Sequence, residues 1–180
     1  MFQAPDDPVA FAIAVLNTWD ELEDPPELLR DVEALRRLLA RNDLAALADR
    51  VRAPDLARVR RVRERLRRAF EARDEADAVN ALNEILGRAQ ARPRLVRNRT
   101  GWKFEYVGRD PADTIGANAA ASLLEAIRDD GWDRFGTCDA APCCCVYVDR
   151  SKNRRRRYCS QPCTDRAAHA AFRRRRRAGG

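Results

Sequence analysis

The six cysteines of this chain, at positions 138, 143, 144, 145, 159 and 163, all fall in one short stretch. Four residues separate Cys138 from Cys143, three separate Cys159 from Cys163, and fifteen lie between the two pairs. No other feature limits the fold so sharply. A close pair on a tight turn supplies one edge of a tetrahedron, and a second pair supplies the opposite edge. Four soft ligands about 2.3 Å from a zinc ion need that arrangement. One structural Zn²⁺ held by Cys138, Cys143, Cys159 and Cys163 is therefore expected. Cys143, Cys144 and Cys145 compete for the second ligand position; Cys143 keeps the four-residue spacing, and the other two then become finger core or spares. The opening MFQAPDDP lacks a basic signal-peptide region, and no run of about 18 apolar residues occurs. The expectation is a cytoplasmic chain with reduced, metal-bound cysteines, not a membrane protein or a disulfide framework.

Charge is concentrated in the same part of the chain. Residues 150–180 carry twelve Arg and Lys against one acid, Asp165, giving +11; the whole chain is +7, so the preceding residues carry −4. Zinc with four thiolates returns only about −2. A strongly basic end on an acidic body suits a polyanion. Lys103 and Lys152 are the only lysines among 35 basic residues. Guanidinium groups fork onto phosphate and guanine, but an Arg excess spread over the whole chain is more simply a compositional bias.

Residues 1–132 read as a mainly helical domain with one β-hairpin. Asp7-Pro8 opens a helix near 8–19, with Phe11, Val15, Leu16 and Trp19 at helical spacing. Asp31 caps a second helix to Arg41, Asp43 starts a short helical pattern, and Pro54 opens a long helix striped by Leu56, Val59, Val62, Leu66 and Phe70. The arginines on its other faces, Arg58, Arg60, Arg61, Arg63, Arg65, Arg67 and Arg68, read as a solvated surface. Asp74 caps a further helix. Trp102, Phe104 and Tyr106 then alternate with polar neighbours. With Arg94–Arg97 and the turn sequence Asn98-Arg99-Thr100-Gly101 they make a hairpin whose aromatic face is expected to pack. Asp113 is expected to cap an Ala-rich helix that Gly131 ends.

Residues 133–180 read as the finger. Cys138–Cys143 fits a knuckle, Val146–Val148 a short strand with Arg155–Tyr158 as partner, and Ser160 an N-cap with Pro162 in the first turn. The fold class is α+β, mainly helical: a helical domain with one hairpin, plus a treble-clef-like four-cysteine finger ending in a basic helix. On that helix Ala167, Ala168, Ala171 and Phe172 share one side, expected to cover the metal. Arg166, His169, Arg173, Arg176 and Arg177 share the other, expected to be free.

These residues resemble a known family. Cys-x4-Cys, then Tyr147, Asp149, Ser151, Asn153, Arg-Arg-Tyr-Cys-Ser and Cys-x-x-Arg, followed by a basic helix, resembles the CGNR zinc finger. Thr164-Asp165 stands where the family has Gly-Asn, so only Cys163 and Arg166 of that signature match. Val15-Leu16-Asn17-Thr18, the Trp102 hairpin and the Ala-rich helix resemble the ABATE domain that precedes this finger. The resemblance implies a bacterial transcription regulator whose finger binds DNA. The candidate contacts are Arg150, Lys152, Asn153, Arg154, Arg155, Arg156, Arg157, Arg166, Arg173 and Arg177. An RNA or protein partner is the alternative, because treble-clef fingers serve both roles. No enzymatic role is expected: four thiolates close the metal, and no Gly-rich phosphate loop is present.

Overall fold

The computed structural model describes residues 7–42, 44–98 and 101–178. Along them run α1 (Ala10–Leu16), α2 (Val32–Ala40), α3 (Ala45–Ala48), α4 (Ala53–Arg67), α5 (Glu75–Ala89), β1 (Arg92–Asn98), β2 (Gly101–Val107) and α6 (Pro111–Asp130). A 3-10 turn, Trp132–Arg134, leads to β3 (Phe135–Thr137), β4 (Val146–Val148) and α7 (Gln161–Ala178). The expectations placed on Asp43, Arg99 and Thr100 fall outside the described residues. The fold class is mainly helical α+β, with two small antiparallel hairpins and a C-terminal cysteine cluster.

Local chemistry sets most helix starts. Asp31, Asp74 and Asp110 each accept a hydrogen bond from the backbone N–H three residues on, at 2.7, 2.8 and 3.0 Å. Each satisfies one of the donors that a helix start leaves free. The cap of α6 is thus Asp110, not Asp113, which sits in the first turn and receives Arg109 at 2.8 Å. Helix α1 is shorter than its apolar spacing suggests. The Thr18 hydroxyl donates to the Val15 carbonyl at 2.7 Å and so competes with the helical pattern.

Helix α6 is the centre of the body. Its alanines 112, 117, 119, 120, 121 and 126 are buried, and their small size lets α1, α4 and α5 approach it closely. One apolar cluster runs from Val9 through Ile127. It also takes in Val146 and Val148 of β4, so the body and the finger share a packed surface.

Two sequence expectations fail here. The arginine face of α4 is not uniformly solvated. Arg63 is 3% exposed and grips Glu27 with two bonds of 2.8 Å, and its Nη1 also donates to Thr18 Oγ at 3.0 Å. Burial would raise the Glu27 carboxyl, but the Arg63 hydrogen bond and charge outweigh it and hold that group below its ordinary range. Arg60 and Arg67 donate to the carbonyls of Leu29 and Cys144. The second failure is the hairpin's aromatic face, which points outward: Leu95, Trp102 and Phe104 are 56, 66 and 61% exposed. What holds the hairpin to α6 is Asn118, which accepts from the Tyr106 N–H at 3.0 Å and donates to its carbonyl at 2.8 Å.

Candidate metal centre

Three chain segments bring the cysteines together. Cys138 and Cys143 lie on a knuckle closed by Cys143 N–H to Ala140 O at 3.0 Å, with Cys138 N–H bonded to Cys145 O at 2.9 Å. Cys159 precedes α7, and Cys163 sits in its first turn after Pro162. All four side chains are buried, and their sulfurs lie within 4.8 Å of one another. Cys143 and Cys159 sulfurs are 3.7 Å apart, Cys159 and Cys163 sulfurs 3.6 Å. Four sulfurs about 2.3 Å from one ion would be separated by about 3.8 Å. The donor set and its edges therefore fit one structural zinc ion. The structure also settles the competition within the Cys run. Cys144 is only half-buried and turns away toward α4, whereas Cys145 is buried beside the cluster.

Electrostatics favours a shared thiolate. The neighbouring Cys145 thiol foremost, with Ser160, Cys163 and Cys143, pulls Cys159 down to about 5, against the opposing effect of burial. The proximity of Cys159, together with burial, pushes Cys145 well up; burial pushes Cys143 up as well. Arg166 Nη1 lies 3.2 Å from the Cys163 sulfur. A site of four thiolates and one Zn²⁺ carries about −2, and a guanidinium on a ligand sulfur offsets part of that charge.

The finger's hairpin is paired differently from the sequence expectation. The partner of β4 is β3, in the register Phe135↔Val148, Gly136↔Tyr147, Thr137↔Val146. Arg155–Tyr158 forms no strand; the Arg157 carbonyl accepts from the Asp139 N–H at 2.9 Å, and side chains take the backbone groups of Arg156. Asp149 accepts from Ser151 N–H at 2.8 Å and Arg156 N–H at 2.9 Å, and the Tyr147 hydroxyl donates to Arg156 O at 2.6 Å. β3 wins because Gly136 lets the Tyr147 ring lie on the strand: a Cβ there would meet the ring at 2.6 Å.

Residues 10–130 match the ABATE family, described as "Putative stress-induced transcription regulator", and residues 134–176 match the CGNR zinc finger. The chain belongs to the ABATE family. No curated protein matches it. The two matches abut at the turn after α6, where the ABATE body gives way to the CGNR finger.

The candidate contacts of the CGNR finger divide into two groups. Arg150 binds Asp7 at 2.8 and 2.9 Å and also reaches Asp130; Arg154 binds Asp133 at 2.6 Å and Arg157 binds Asp139 at 2.9 Å. Arg156 stacks 4.6 Å over the Tyr147 ring and donates to the Tyr158 and Cys159 carbonyls. Arg166 is not on a free face but on a ligand sulfur. Lys152, Asn153, Arg155, Arg173 and Arg177 are exposed and have no side-chain hydrogen bond or ion pair among the described residues. Phe172 is 53% exposed, so it does not cover the metal; of the apolar side of α7, Ala167 does. Asp165, in the altered signature, accepts from Gln161 at 2.9 Å.

Sequence reasoning missed the seam between ABATE body and finger. Asn17 donates to Val146 O at 2.9 Å and accepts from Val146 N–H at 2.8 Å. Asp20, buried, lies with Cys143 and Cys145. A cavity of about 490 Å³ at this seam is lined by Trp19, Glu21, Glu64, Arg67, Glu71 and Cys144. The signal for Asn17 was a polar residue at the end of an apolar helix, and nothing in the sequence names its partner 129 residues away.

Proposed function

We propose that this chain is a zinc-dependent DNA-binding regulator of transcription, with the CGNR finger as the part that meets the duplex. The observation that carries the reading is the free basic rim. Lys152 and Arg155 stand on the loop that Asp149 braces, and Arg173 and Arg177 on the outer part of α7, all exposed and without an ionic partner among the described residues. Such side chains neutralise phosphates and release counterions, while a helix that leaves the zinc knot can enter a groove. The arginines that tie the finger to itself and to the body orient that rim. The proposal is non-catalytic, since four thiolates leave a zinc ion no open position for water.

The test is binding of zinc-loaded protein to duplex DNA at two salt concentrations. Four phosphate contacts, one for each cation of the free rim, give a slope of log K against log salt of about −3.6. Absence of binding at low salt overturns the reading and makes an RNA or a protein the partner to seek.

A further inference from the structure

We propose that the ABATE body carries a second ligand site, a cleft between α4, α5 and the start of α6 that binds a small, multiply charged anion of the phosphorylated-metabolite class. The cleft has a volume of about 360 Å³ and is lined by Arg58, Arg61, Arg65, Arg88, Arg109 and Asp113, with two small aliphatic side chains. Arg58, Arg61 and Arg65 recur at three- and four-residue spacing on α4, so they share one stripe. Arg88 comes from the last turn of α5, and Arg109 from the residue before the α6 cap.

Carboxylates fix three of the five guanidinium groups in place. Arg58 is 2.5 Å from Asp110, Arg109 is 2.8 Å from Asp113, and Arg88 is 2.6 Å from Glu84. Arg61 and Arg65 have no side-chain hydrogen bond or ion pair among the described residues. Five cations against these three acids leave two positive charges facing one concavity. A concave wall concentrates that field, and guanidinium forks match phosphate oxygens two at a time. The volume is at the small end for ligand pockets, which run from about 300 Å³ upward. With five of its lining residues arginine, the cleft selects a compact anion over an apolar ligand. It also lies away from the finger. The finger follows the C-terminal end of α6, whose 20 residues span about 30 Å, and the cleft is at the other end.

The test uses the full zinc-loaded chain, inorganic pyrophosphate and titration calorimetry at near-physiological salt, with no DNA present, so its outcome is separate from that of the DNA reading. One site per chain is expected. Arg61→Ala with Arg65→Ala should weaken it about tenfold for each guanidinium removed. Arg37→Ala with Arg41→Ala takes the same charge from exposed positions at the end of α2 that have no ion pair among the described residues, and should leave affinity unchanged. Loss of zinc to pyrophosphate would be common to both double variants, and so would not mimic the expected difference. No binding by the unaltered protein, or equal weakening in both double variants, overturns the proposal. A separate duplex-binding assay on the same variants guards the assignment: if Arg61→Ala with Arg65→Ala loses DNA affinity as steeply as pyrophosphate affinity, the two arginines belong to the DNA surface and the proposal is overturned.

Discussion

The body and the finger are held together by different means. The body's cluster is built of leucine, valine, isoleucine and alanine from α1 to α6. The finger's own cluster is Cys138, Ala140, Cys143, Cys145, Tyr147, Cys159 and Cys163, without one leucine, isoleucine or valine. A segment this short cannot bury enough apolar surface to fold alone, and the metal supplies what the core lacks. Between them stands β4. Its side chains alternate, so Val146 and Val148 enter the body's cluster while Tyr147 enters the finger's. One three-residue strand is the wall of both.

The largest expected effect breaks the finger and tests whether that wall matters. Cys159→Ser, or chelation of zinc, removes on the order of 10 kcal/mol of folding free energy. The finger should lose amide-exchange protection while circular dichroism still reports the helices of the body. Because Val146 and Val148 cover part of the body, its melting temperature should fall as well. A fragment of residues 1–132 should do the same: cooperative, but less stable than the whole chain. If body and finger vanish in one transition when zinc is removed, they are a single cooperative unit and the division at residue 132 has no thermodynamic meaning.

The converse experiment damages the body and spares the finger. Glu27→Gln leaves Arg63 buried with a neutral partner. Disrupting a buried ion pair by removing one charge costs about 3–5 kcal/mol, and the amide that remains reduces that somewhat. Thermal unfolding of the body should show the loss, with zinc content unchanged. The same pair sets a pH limb. The Glu27 carboxyl is held lower in the fold than its ordinary value of 4.5, so the stability it contributes is present above that pH and disappears as pH falls through the folded value. The unaltered protein should therefore lose stability in acid more steeply than Glu27→Gln. Equal acid limbs would mean that the pair contributes nothing measurable.

How much of this was legible in the sequence follows from the range of each interaction. The zinc ligands were readable, because their spacing is local and the metal's demand is strict. Helix starts at Asp31 and Asp74 were readable for the same reason. The cap of α6 was misplaced by three residues because Asp110 and Asp113 both suit the role, and Pro111 at the first helical position decides for Asp110. Arg155–Tyr158 is expected beside β4 because it follows a bend at Ser151–Asn153, yet β3 takes that place, and glycine at 136 admits the Tyr147 ring there. The burial of Arg63 depends on Glu27, 36 residues away, and the attachment of β4 on Asn17, 129 residues away. No local pattern encodes either partner.

The seam itself is probed by Asn17→Ala. That side chain serves both backbone groups of Val146, as a neighbouring strand would, and its loss leaves a buried donor and a buried acceptor without partners. Each stranded group costs about 1–3 kcal/mol. The deficit should show in the melting of body and finger alike, since β4 belongs to both. Asn118→Ala makes the comparison, because Asn118 serves Tyr106 in the same way on a hairpin that is far more exposed. Water can replace the lost bonds there, so the cost should be smaller. Equal losses in the two variants would show that burial does not distinguish the two attachments.

The smallest effect separates the finger's outward charges from those that bind it to itself and the body. Arg155 has no side-chain hydrogen bond or ion pair among the described residues, and Arg154 beside it is held by Asp133 in the turn after α6. Arg155→Ala should leave melting within about 0.5 kcal/mol of the unaltered protein and flatten the salt slope of DNA binding by about 0.9, the share of one phosphate contact. Arg154→Ala loses an exposed ion pair worth about 0–1 kcal/mol and should change the slope less, because that guanidinium already has a carboxylate to neutralise. The measurement is the slope for both variants over the same salt range on one duplex. If Arg154→Ala flattens it as much as Arg155→Ala, the ion pair with Asp133 opens on DNA and the division between tying and contacting arginines fails. If neither moves it, Arg154 and Arg155 are not in the interface, and the contacts must lie at Lys152 or on α7, where the run of arginines from 173 to 177 would then have to carry the slope.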